Sequence, residues 1–286
     1  AISQGILDTP VIIRSHGGRA RAIESGELKI DVAFLGAPAC DDYGNANGFS
    51  GKSACGSLGY AIVDAMYADQ VVLITDNLVK YPCLPASIDQ SQVDYVVEVE
   101  SIGDPKGIVS GVIKNTSNPK DLLIAENAVK AILASGYFKD GFSYQTGAAG
   151  ASLAVTALLR EKMIEQNIKG SFGLGGITAQ LVQLLEEGLM EGLFDTQCFD
   201  LVAVQSLAKN SKHFEVNAGF YANPHNSGCA VNKLDIVMLG ALEIDTDFNV
   251  NVISTSDGVI SQAAGGHPDT AAGANMSVIL APLIRS

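Results

Sequence analysis

Residues 170–188 read GSFGLGGITAQLVQLLEEG, and their two halves obey different rules. The first half, Gly170 to Gly176, is too rich in glycine for a helix and reads as a turn that can bend sharply. From about Thr178 onward, Leu181, Leu184 and Leu185 recur at helical spacing, which predicts an amphipathic helix stopped by Gly188. A glycine-rich turn feeding a helix is a repeating unit of α/β chains, and similar units lie on both sides. Upstream, residues 141–147 predict a strand and turn, and residues 151–166 a long helix. Residues 121–135 predict another helix, with Leu122, Leu123, Ala125, Val129 and Ile132 on a broad apolar face and Gly136 as its stop. Residues 31–36 (DVAFLG) and 71–74 (VVLI) are nearly continuous apolar runs, as expected of strands buried on both faces of a parallel sheet. Residues 93–99 are β-rich. Downstream, residues 201–204, 235–242 and 276–280 receive the same strand reading. Near the start, residues 10–15 predict a strand entering a tight turn at Gly17 and Gly18. A short helix, residues 19–25, follows and stops at Gly26. The pattern predicts an α/β fold with a mostly parallel sheet. It restarts near residue 140, which predicts two domains, 1–140 and 141–286. One large doubly wound domain is the alternative.

The composition narrows the function. The chain has 286 residues, 47% hydrophobic and 17% charged, so it is not a disordered polymer. Its 31 acidic and 18 basic side chains give a net charge of −13. Both halves are acidic, which argues against a nucleic-acid groove or an anionic-membrane surface, since each needs a positive field. No apolar run is long enough to predict a transmembrane helix. The five cysteines, Cys40, Cys55, Cys83, Cys198 and Cys229, are odd in number and form no CxxC pair. Reduced thiols and a cytoplasmic location are expected, rather than a disulfide scaffold or a zinc ribbon.

Three glycine clusters are candidates for chemistry: His16-Gly17-Gly18, the stretch from Gly173 to Gly176, and Gly265-Gly266 followed by His267, Pro268 and Asp269. Adjacent glycines let backbone N–H groups converge on an oxyanion, a carboxylate or a phosphate. Taken alone, each cluster reads better as a structural turn. Dinucleotide binding fits poorly, because Thr178 stands where the third glycine of GxGxxG belongs, and no phosphate-binding GxxxxGK[ST] loop is present. The four histidines lack metal-site spacing, so no metal is expected. Ser206 and Ser227 stand in no nucleophile elbow. His267 and Asp269 could orient a carboxylate or relay a proton, or only tie down local backbone. Arg14 and Arg19 flank the first cluster and could meet an anionic substrate. Asn223, Asn226 and Asn251 lie in Asn/Asp-rich segments that could fix a polycarboxylate or cap turns.

Several longer strings together carry a family resemblance. They are RSHGG (14–18), DVAFLGAP (31–38) with DYGNANG (42–48), GFSYQTG (141–147), FYANPHNSGC (220–229), LEIDTDFNVNV (242–252) and GGHPDTAAGA (265–274). The chain resembles the citrate lyase alpha chains over nearly its whole length. That resemblance implies similarity to the class I CoA-transferases: two α/β domains with mostly parallel sheets and the active site between them. Residues 1–140 would be the C-terminal part of the first such domain. Residues 141–286 would be the second, lacking its C-terminal end, so that the chain is an internal portion of a longer one. The implied activity is citrate CoA-transferase chemistry within a bacterial citrate lyase complex. Acetyl on the carrier thioester is exchanged for citrate, and acetate is released. The implied partners are the beta chain and the acyl carrier protein gamma chain, in an oligomer. No cofactor would be bound by this chain itself. Its substrate would be the CoA-like phosphoribosyl-dephospho-CoA group carried by the gamma chain.

The resemblance also implies site residues. Class I transferases carry a nucleophilic Glu, and the matching stretch, DTQCFD (195–200), has Gln197 in its place. An amide does not attack a thioester as a carboxylate does. Direct attack by a citrate carboxylate, through a mixed anhydride, is therefore expected. Gly265 and Gly266 match the glycine-rich oxyanion loop of the wider fold family, with Ala263 replacing its first glycine and His267 as an unusual polar insertion. Gly175 and Gly176 would line the thioester arm, and His16, Gly17 and Gly18 would contribute from the first domain. Other readings stay open. A transferase or hydrolase acting on free CoA thioesters would need another carboxylate, for which Glu243 is the candidate. A noncatalytic scaffold of a lyase complex is a second reading, and a sugar-phosphate isomerase-like or regulatory domain a third.

Overall fold

The computed structural model describes residues 6–7, 9–108, 116–148 and 150–284. The chain opens with helix α1 (His16–Glu24), strands β1 (Val32–Gly36), β2 (Ala39–Asp41) and β3 (Ala46–Asn47), and helix α2 (Gly59–Tyr67). Strands β4 (Gln70–Thr75), β5 (Leu78–Val79) and β6 (Tyr95–Glu98) follow. Next come α3 (Pro119–Ala134), β7 (Tyr144–Gln145), α4 (Gly150–Gln166), β8 (Gly170–Ile177), α5 (Ala179–Glu186), β9 (Met190–Cys198), α6 (Leu201–Lys209) and β10 (His213–Glu215). The rest comprises α7 (Ala218–Ala222), β11 (Ile236–Gly240), β12 (Glu243–Ile244), β13 (Val250–Asn251), α8 (His267–Gly273) and β14 (Met276–Leu280).

The fold is α/β with mostly parallel sheets, as the patterning predicts. Strands β10-β9-β8-β7-β11-β14 form a six-stranded sheet in which every pairing is parallel. Apolar side chains cover both faces. One face packs Tyr144, Ile177, Ile236 and Met238 with residues of α3, α4 and α5. The other packs Leu174, Val237 and Leu239 with Tyr221, Val231 and Leu234. Helix α3 precedes residue 140 in sequence, yet Ala125, Ala128, Val129 and Ile132 belong to this core.

A second sheet, β1-β4-β6, is also parallel, with Phe34 opposite Val72 and Val72 opposite Tyr95. Here the expectation of burial on both faces fails. Ala33, Leu35, Val71 and Leu73 pack under α2, while Phe34, Tyr95 and Val97 on the other face are exposed. Among the described residues, helix packing reaches one side only. Between the sheets, Ala20 and Ile23 of α1, Val63 of α2 and Ala218 of α7 make a small joining cluster.

Four local expectations are corrected. Residues 10–15 form no strand. Gly17 and Gly18 lie in the first turn of α1, whose N-cap is Ser15. The GSFGLGG run is not a turn but strand β8, in the middle of the six-stranded sheet. Residues 201–204 are helical, because Asp200 caps α6 through the Ala203 amide at 2.8 Å. The other Asp200 oxygen accepts from Ala179 N at 2.6 Å, so one carboxylate starts both α5 and α6.

Candidate active site between the sheets

The first and third glycine clusters meet. Ser15 donates its hydroxyl to Asp269 Oδ1 at 2.6 Å, Gly17 N donates to Asp269 Oδ2 at 2.8 Å, and His16 N donates to Gly265 O at 2.9 Å. Gly18 N donates to Ser15 Oγ at 3.0 Å. All three amides of the first cluster are therefore bonded to protein groups. They hold the start of α8 against the start of α1, and Asp269 supplies the anion that completes the α1 N-terminus. Burial pushes the Asp269 carboxyl above its ordinary range, against the pull of Ser15 and Gly17. Gly17 must be glycine for packing reasons, since an added Cβ would stand 1.7 Å from the Ala222 carbonyl oxygen.

Side chains extend this junction in two directions. On one side, His16 Nδ1 lies 2.7 Å from the Tyr60 hydroxyl, and the two rings meet edge to face with centroids 4.5 Å apart. On the other side, Gly266 lies against Tyr221: a Cβ there would be 2.4 Å from its hydroxyl oxygen. Gln145 Nε2 donates to the same hydroxyl at 2.8 Å, while Gln145 Oε1 is buried with no hydrogen-bond partner among the described residues. The Gln145 amide also packs on Gly175, whose φ is +98°. That left-handed value marks a register shift between Gly175 and Gly176 against β9.

Tyr60 also lines a cavity of about 390 Å³ with Cys55, Ser57, Gln197 and Phe199. Gln197 is exposed near the C-terminal end of β9, opposite Gly176 in register. Behind it, Asp195 is fully buried and accepts from Cys198 Sγ at 2.9 Å, with His213 Nε2 3.0 Å away. His213 Nδ1 lies 3.0 Å from Ser206 Oγ. The His213 and Asp195 side chains are completely enclosed and Ser206 is buried, so these groups brace the sheet and do not meet a substrate. Burial raises the Cys55 thiol to about 11, which keeps it out of nucleophilic chemistry at neutral pH.

The site thus gathers Gln197, Gly175, Gly176, His16, Gly265, Gly266 and Asp269 from the sequence reading. Other candidates are committed elsewhere. Arg14 pairs with Glu27 at 2.6 Å, and Arg19 with Asp64 at 2.9 Å. Arg19 still borders the space beside His16 and Tyr60. The His267 ring lies 3.1 Å from the Gly240 carbonyl, and burial lowers its pKa. Asn223 is buried and donates to Glu24 at 2.5 Å, and Asn226 accepts from the Gly228 amide. Asn251 sits in the β12–β13 hairpin and donates to Glu243 at 3.0 Å, so these two polar candidates hold each other. Tyr60, Gln145 and Tyr221 went unread as site residues, because none lies in a glycine cluster. Among the described residues, no cluster of His, Cys, Asp and Glu is suited to a metal ion. No helix among them is long and apolar enough to cross a membrane.

The family model for the citrate lyase alpha subunit (CitF) matches residues 1–286. The citrate lyase alpha chain of Haemophilus influenzae is 60% identical over 284 residues, which are 99% of this chain and 57% of that one. A solved structure from Streptococcus mutans, described as an alpha subunit of citrate lyase in complex with citrate, superposes with a TM-score of 0.96 at 59% identity. It covers 100% of this chain and 56% of that chain. An acyl-CoA transferase of Escherichia coli O157:H7, solved as a thioester complex with CoA, shares the fold at a TM-score of 0.54 and 20% identity. That match covers 90% of this chain and 46% of the other. The chain spans a little over half the length of the curated relatives it matches.

Proposed function

Because the chain belongs to the citrate lyase alpha-subunit family, we propose that it carries the acyl-exchange half of that enzyme's reaction. Acetyl carried as a thioester on the CoA-like thiol of an acyl carrier protein is replaced by citryl, and acetate is released. A citrate carboxylate oxygen attacks the acetyl carbonyl, and the C–S electron pair leaves on the carrier thiolate. That thiolate then attacks the citryl carbonyl of the mixed anhydride, and acetate departs with the C–O pair. No proton is consumed and no bond to the protein forms. The protein contributes approximation of two acyl groups and stabilisation of each tetrahedral oxyanion.

The observation that carries this reading is Gln197, exposed in the wall of a cavity beside Tyr60 and Phe199. It stands where the resemblance places a nucleophilic Glu, and it is an amide. Gly176 packs against Phe199 in the wall of that cavity, and Gly265 lies beside the His16 ring. In this scheme the gamma and beta chains are the partners, and the complex works in the bacterial cytoplasm. The S. mutans relative, which is in complex with citrate, supports the choice of tricarboxylate.

The test is label exchange in the assembled complex. With citrate and unlabelled acetyl-carrier, isotopically labelled acetate should enter the carrier thioester, seen as a mass increase. Mass spectrometry of this chain should find no acetyl adduct. A covalent acetyl-enzyme in the unmodified protein would overturn direct attack. Absence of exchange would overturn the function itself.

A further inference from the structure

His16 offers two ring nitrogens, and the fold decides which one carries the proton. Its Nδ1 faces the Tyr60 hydroxyl at 2.7 Å. Burial pushes the Tyr60 phenol well above the ordinary range, so the hydroxyl keeps its hydrogen, and among the described residues His16 Nδ1 is the acceptor within reach of it. Nδ1 then accepts, and a neutral imidazole must carry its hydrogen on Nε2. Burial, followed by the nearby Arg19 guanidinium, lowers the ring's own pKa and keeps it neutral.

The surroundings leave that hydrogen a direction. The three backbone amides at 16–18 are already bonded to Gly265 O, Asp269 and Ser15. What the first cluster can still offer a substrate is the ring. Its Nε2–Cε1 edge faces Gly265, where an added Cβ would stand 4.0 Å from Nε2 and 3.9 Å from Cε1. Glycine there leaves room at that edge for a ligand atom. The charged and titratable groups around this pair are Arg19 on α1, Asp64 on α2 and Asp269 on α8, while Tyr221 of α7 and Asp195 of β9 act on Tyr60. Asp64 is paired with Arg19, and Asp269 with Ser15 and Gly17.

We propose that Tyr60 fixes His16 as its Nε2–H tautomer and that this N–H, beside Gly265, donates to the oxyanion formed at the acyl carbonyl. Tyr60 is then a positioning residue and His16 an oxyanion donor. The assignment rests on the acyl-exchange reading above, and the experiment separates the two.

The tautomer is read without activity, from the ring ¹⁵N shifts of the chain labelled at histidine, with His16 assigned by its loss in His16→Gln. The native protein should show Nε2 protonated, and Tyr60→Phe a mixture of tautomers. Exchange is then measured in the assembled complex. His16→Ala should lower kcat by about 100-fold with little change in the citrate KM. His16→Gln, whose amide brings an N–H close to the Nε2 position, should recover most of that loss. The Tyr60→Phe defect should be largest in alkali and shrink as pH falls, because a protonated ring carries hydrogen on both nitrogens. A native ring protonated on Nδ1, a His16→Ala enzyme at full rate, or no recovery in His16→Gln would overturn the proposal. If the native complex exchanges no acetate, it is the function that fails, and the ¹⁵N result still decides the tautomer.

Discussion

Glu215 caps a helix to which it does not belong. The N-cap of α2 is Leu58, which has no side chain to offer. Glu215 supplies the acceptor from β10, taking Leu58 N at 2.5 Å on one oxygen and Ser87 Oγ at 2.5 Å on the other. Burial nevertheless raises its pKa, outweighing those bonds. A carboxyl whose folded pKa lies above its unfolded value binds protons more tightly when folded. Its contribution to stability is therefore present in acid and is lost as pH rises from the ordinary glutamate range through the folded pKa. Asp195 and Asp269 shift in the same direction. Urea unfolding of Glu215→Gln over that window should show a shallower decline of stability with pH than the native protein, with part of the slope remaining from the two aspartates. Such a residue is not legible in sequence, since it is a lone acid with no motif and its partners come from two distant segments. Gly265, Gly266 and Asp269 were legible because they sit together in one unusual string.

Strand β8 illustrates how an element can be misread. Seven residues with four glycines look like a loop, and single-sequence propensity says the same. Tertiary crowding supplies the reason for strand. At Gly176 a Cβ would stand 2.0 Å from the Phe199 ring, and at Gly173 it would stand 2.7 Å from the Leu193 side chain. The glycines make room for close neighbours in a sheet covered on both faces. Gly176→Ala should therefore destabilise the protein by about 1–3 kcal/mol. Because it would push Phe199 into the Gln197 cavity, it should also slow acyl exchange, measured beside a denaturation curve. The helix α6 error has the opposite cause: a four-residue apolar run fits strand and helix equally, and only Asp200 decides. Where the pattern was long, as in α3 and α4, or a continuous apolar run, as in β4, β11 and β14, the element type read from the sequence agreed with the fold.

At the scale of the molecule, the α1–α8 junction holds the site together across a sequence separation of 252 residues. Its strength is measurable by a double-mutant cycle. Ser15→Ala and Asp269→Asn should each destabilise the protein, and the pair should show a coupling of about 0.5–3 kcal/mol, since both groups share one hydrogen-bond network. If the two effects simply add in chemical denaturation, the junction is not the unit described. This joining of distant clusters was out of reach of pattern reading, which found each cluster but no pairing between them. The junction also sets a timetable for synthesis. The chain leaves the ribosome N-terminus first, at roughly 5–20 residues per second. Helix α1 therefore emerges long before the Asp269 that completes its first turn. A nascent chain can build the β1-β4-β6 sheet early, but the α1–α8 junction stays open until α8 has emerged, so a translation product that stops short of α8 lacks the contact that joins the two glycine clusters.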